Sequence, residues 1–157
     1  MNGSPLALAH RALVDAIDAL AAASDSAAHP EEVLSVLTIA EGLTRRLDHL
    51  SVTRIADLDR RGVFADRGYR SPAAALTDLL GWERGAAGRR VRVGEQVSPR
   101  IGLDGQPLPP RLPATAQVFA AGATSLRHVE TITREPATLQ QPGAAAPQGR
   151  VGRHRAR

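Results

Sequence analysis

The sequence predicts an all-α fold, and three observations carry that prediction. Ala, Arg and Leu are the commonest residues, and like Glu they enter a helix at little cost. Apolar residues recur at helical spacing through most of the first 134 positions. Ser-Pro, Pro and Gly punctuate the chain where helices start and stop.

The first element is a helix over residues 5–22, with Leu6, Leu13, Ile17 and Leu20 on one stripe. The second begins at Pro30, where Glu31 and Glu32 suit the positive end of the helix dipole. Within it Val33, Val36, Ala40, Leu43, Leu47 and Leu50 are spaced 3, 4, 3, 4, 3, a heptad seam. The stripe loosens through Ile55 and Leu58 and ends at Gly62, giving a helix about 48 Å long. Such a helix cannot cover its own stripe. Either the first helix folds back on it as an antiparallel hairpin, or a second copy pairs with it through the 33–50 seam as a homodimer.

Residues 62–70 read as a turn-rich link, with Phe64 and Tyr69 pinning it against the long helix. Ser71-Pro72 opens a short helix ending near Gly81, and another follows from Glu83 to Val97. Residues 98–113 contain five prolines and read as an irregular loop. Two short helices, 115–121 and 125–134, are separated by Gly122. The tail 135–157 is rich in Pro, Gly, Ala and Arg, with only Leu139 and Val151 as large aliphatics. That composition predicts disorder. The expected organisation is thus a helical domain over 1–134 and a separate tail over 135–157.

Composition also sets limits on function. The chain has 157 residues, room for one domain, and no cysteine, which excludes disulfides and thiolate metal sites. No apolar run is long enough for a membrane span. The N-terminal stretch has acids inside its apolar pattern and lacks a signal peptide's layout, so a cytoplasmic chain is expected. All 20 basic residues are Arg. Residues 1–83 hold 8 Arg and 12 acids, whereas residues 84–157 hold 12 Arg and 4 acids. The second half is therefore the part suited to an anionic partner.

The pair 72–80 and 83–97, joined by Leu80-Gly81-Trp82, has the layout of a helix-turn-helix. In that reading Arg84, Arg89, Arg90 and Arg92 contact DNA, chiefly its phosphates, with Arg84 or Arg90 nearest the base edges. The competing reading is an ordinary helical hairpin with a solvated basic face. Gly85 and Gly88 each weaken the Arg helix by about 1 kcal/mol relative to Ala. Trp82 either stacks on a base or anchors the turn.

Taken in order, several segments resemble the N-terminal region of the 13E12-repeat family (domain of unknown function 222), an actinobacterial group of HNH-endonuclease-like proteins. They are Leu58-Asp59-Arg60-Arg61-Gly62, Ser71-Pro72-Ala73-Ala74-Ala75-Leu76, Leu80-Gly81-Trp82-Glu83-Arg84 and Arg89-Arg90-Val91-Arg92. The loop from Leu103 to Pro110, the stretch from Leu112 to Ala116 and His128-Val129-Glu130-Thr131-Ile132 complete the set. The resemblance implies a parent protein with an HNH nuclease motif far downstream. That motif needs paired His and flanking metal ligands. Here His10, His29, His49, His128 and His154 are scattered, so the chain is expected to be a truncated, non-enzymatic fragment with no metal or cofactor. The loss of periodicity after Arg134 fits a frameshifted or degenerate end. The function expected is that of a non-catalytic DNA-associated module; the alternatives are a self-association module with no DNA role and a nonfunctional pseudogene product.

Overall fold

The computed structural model describes residues 3–24 and 27–134. Within them the chain forms α1 (Pro5–Ala23), α2 (Pro30–Arg60), α3 (Val63–Asp66), α4 (Pro72–Leu80) and α5 (Arg84–Val97). A small hairpin of β1 (Arg100–Ile101) and β2 (Pro107–Leu108) follows, then α6 (Pro113–Ala120) and α7 (Leu126–Arg134). The fold is all-α. The tail 135–157 lies outside the described residues.

Local chemistry explains the boundaries. Ser4 and Ser71 each stand one residue before a proline and accept an N–H from the first turn, from Ala7 and Ala74. Gly62 and Gly81 close α2 and α4 at φ 73° and 67°, a conformation that suits a residue without Cβ. Ser125 accepts from the His128 N–H at 3.3 Å and starts α7. The expected link at 62–70 contains the four-residue turn α3, which Phe64 buries against Ile55.

One expectation needs correction. Residues 98–113 are not irregular throughout, because β1 and β2 pair antiparallel, with Ile101 opposite Pro107 and Arg100 opposite Leu108. The Gly102 N–H donates to Gln106 O at 2.8 Å, and Gly105 takes φ 79°. Prolines sit on both sides of this ladder without breaking it, because a two-stranded hairpin is all edge.

The core lies around the second half of α2. Val52 joins Val93 and Val97 of α5, Phe119 of α6, and Leu126 and Val129 of α7 in one buried cluster. Ile55 joins Phe64, Ala75, Leu76 and Ala87 in a second, flanked by Tyr69, Trp82 and Val91. The chain's four aromatic side chains other than histidine all belong to these clusters or their margins. Two glycines permit the close packing. A Cβ on Gly94 would stand 2.5 Å from Val52 O, and one on Gly122 would stand 2.5 Å from Gly42 O.

The other end of the molecule is open. The first helix returns toward α2, and Leu13 shares a cleft with Leu43, Leu47 and Leu50. No residue of α1 is buried, however. Leu13, Ile17 and Leu20 stay 43%, 55% and 39% exposed, and Leu43, Leu47 and Leu50 stay 47%, 41% and 48% exposed. The helical hairpin is a loose one.

Candidate functional site

Of the described residues, those singled out by sequence are the four arginines of α5. Burial of Ala87, Val93, Gly94 and Val97 fixes which way this helix faces. It packs against α2, α4, α6 and α7, so it is a central helix rather than a projecting one. Its outward stripe is narrow: Arg84, half-buried Gly88, Arg92 and Glu95.

The structure divides the arginines two and two. Arg90 reaches Asp48 of α2 at 3.5 Å, and its guanidinium lies 4.6 Å from the centroid of the Trp82 ring. Arg89 reaches Glu130 of α7 at 3.5 Å and Glu83 at 3.9 Å. Both therefore tie α5 to its neighbours. Arg84 and Arg92 are exposed and have no ion pair or side-chain hydrogen bond among the described residues. Glu83 caps the start of α5 by accepting the Gly85 N–H at 3.1 Å. It thus places a carboxylate at the end of the helix that a phosphate would approach.

Trp82 is the anchor of the α4–α5 turn, half-buried at the edge of the second cluster and covered on the ring by Arg90. The pairing of Arg90 with Asp48 was not legible in sequence. The two are 42 positions apart, and Asp48 lies among the heptad residues where it reads as solvated.

Elsewhere, His49 packs edge-on against Phe119, with centroids 5.3 Å apart at 84°, and burial lowers its pKa. The Tyr69 hydroxyl donates to Asp78 Oδ2 at 2.7 Å, and this bond raises the phenol's pKa. Asp57 is held below the usual carboxylate range, first by its hydrogen bond from Arg60. Arg60 also donates to Pro99 O at 2.8 Å and so fastens the hairpin to the end of α2. None of these groups forms a nucleophile–base pair. Among the described residues no group of three or more His, Asp or Glu stands close enough to hold a metal ion. No helix among them is long and apolar enough to cross a membrane.

The fold and surface together define a small all-α module held by packing and inter-helical ion pairs. A family model described as "Domain of unknown function (DUF222)" matches residues 34–157, and the chain belongs to that family. The match begins inside α2 and runs to the last residue, so α1 lies before it and residues 135–157 lie within it. Two uncharacterized proteins of Mycobacterium tuberculosis, from strains CDC 1551 / Oshkosh and ATCC 25618 / H37Rv, are each 36% identical over 104 residues. That alignment covers 64% of this chain and 22% of each relative. No solved structure gives a significant match.

Proposed function

We propose that this chain is a non-catalytic helical association module of an HNH-type parent protein, and that it pairs with a second copy of itself through α1 and the first half of α2. The observation that carries this reading is the open hairpin. Leu13, Ile17 and Leu20 on one helix and Leu43, Leu47 and Leu50 on the other are all more than a third exposed. Contiguous apolar surface of this kind marks an interaction face. Two such hairpins laid together make a four-helix bundle, in which each stripe finds the cover it lacks in one copy.

Sedimentation at micromolar concentration tests it. A dimer is expected for the native chain and a monomer for Leu43→Glu with Leu47→Glu. A monomeric native chain at tens of micromolar sinks the proposal.

A second reading, association with DNA, is favoured by Arg84 and Arg92, which line the outward stripe of α5 with no ion pair or side-chain hydrogen bond among the described residues. A salt titration on duplex DNA separates the two. DNA binding that weakens steeply with salt and is lost with Arg84→Ala and Arg92→Ala supports it; absence of binding at low salt removes it.

A further inference from the structure

A cleft distinct from both faces opens between α2, α3 and α4. Its walls include Ile55, Leu58, Phe64, Leu76 and Trp82, and its volume is about 350 Å³. Exposed Leu79 and Leu80 of α4 complete it, 49% and 53% accessible to solvent. The charged residues that line it are Arg54 and Arg67. Neither makes an ion pair or a side-chain hydrogen bond among the described residues, and both are exposed. No carboxylate lines the cleft; Asp78, the one acid of α4, accepts the Tyr69 hydroxyl.

We infer that this cleft binds a medium-chain aliphatic carboxylate, with the alkyl chain along the apolar walls and the carboxylate at Arg54 and Arg67. Three features fit that ligand. The α2 wall from Ser51 to Leu58 extends about 10 Å at 1.5 Å per residue, the reach of an extended chain of about eight to ten carbons. Ser51 does not compete with the arginines as a donor to the carboxylate, because its hydroxyl proton already goes to Leu47 O at 2.8 Å. Long arginine stems lie on apolar wall while their planar forks stay at the solvent edge, where they match a carboxylate. A neutral or cationic amphiphile meets the same walls but gains no charge-assisted pairing at the rim.

Trp82 is the chain's sole tryptophan and lies in the wall, so its fluorescence reports the site directly. Decanoate, kept below its micelle concentration, is titrated into the full chain beside decanol and decyltrimethylammonium. Saturable quenching or shift is expected, with decanoate about tenfold tighter than decanol, the lower range of what a charge-assisted hydrogen bond contributes. The variant Arg54→Gln with Arg67→Gln removes that preference while leaving decanol binding unchanged. Leu79→Glu, at an exposed position and checked for helicity by circular dichroism, abolishes decanoate binding. No saturable signal with decanoate, equal affinity for the three amphiphiles, or a preference that survives loss of both arginines overturns the inference.

Discussion

At the scale of single residues, glycine carries opposite meanings at neighbouring positions of one helix. A Cβ on Gly94 meets the backbone oxygen of Val52, which cannot turn aside as a side chain can. Gly94→Ala is expected to cost about 1–3 kcal/mol, the range for overpacking. Gly122→Ala meets Gly42 O in the same way and adds a left-handed φ of 77°, for about 1–2 kcal/mol more. By contrast, a Cβ on Gly88 has only Arg92 Nη1 within reach, at 3.6 Å. Gly88→Ala is expected to stabilise α5 by about 0.5–1 kcal/mol. Urea denaturation of the three variants checks this order, and a destabilised Gly88→Ala would contradict it. His49 supplies a pH dependence. Its folded pKa lies below the ordinary 6.5 because burial disfavours the imidazolium. Its contribution is therefore full above that value and is lost as pH falls through the lowered folded pKa. The melting temperature should drop on acidification below about pH 6.5, and less so in His49→Gln.

At the scale of elements, the arginines of α5 show how far a sequence motif can be read. Helix, turn and helix were legible from Ser71-Pro72, Gly81 and the apolar spacing of 72–97, and the structure has them there. Which arginines face outward was not legible, because that depends on where α2 and α7 lie. Asp48 and Glu130, from separate elements, draw Arg90 and Arg89 inward. The expected outcome is that Arg90→Ala lowers stability by about 1 kcal/mol through the lost ion pair and the lost ring contact. Arg84→Ala and Arg92→Ala should leave it within about 0.5 kcal/mol. A thermal melt of each distinguishes them. The hairpin at 100–108 was missed for a related reason. Five prolines outweighed Asp104-Gly105, the one dipeptide that signals a tight turn between strands.

At the scale of the whole molecule, the core lies along the second half of α2 and an open apolar face along the first. Buried clusters gather around Val52 and Ile55, while the heptad seam over 33–50 and the facing stripe of α1 remain accessible. Most helical stability in a folded protein comes from packing an apolar face, and no residue of α1 is buried in one copy. Pairing of two hairpins therefore predicts a melting temperature that rises with protein concentration. Calorimetry over a hundredfold range of concentration reads it. A midpoint independent of concentration would count against the dimer. The curated relatives are far longer than the aligned segment, which covers 22% of each, so the activity of those whole proteins is a separate question from that of this chain.

The sequence by itself determined the helical class, the order of the principal helices and most of their ends. Those follow from short-range causes: apolar spacing, caps before prolines and glycines at positive φ. Tertiary structure alone decided which half of α2 is core, which two of the four arginines of α5 are paired, and that Arg54 and Arg67 stand at one apolar cleft. Each of those depends on residues far apart in the chain meeting in space, and no local pattern encodes that meeting.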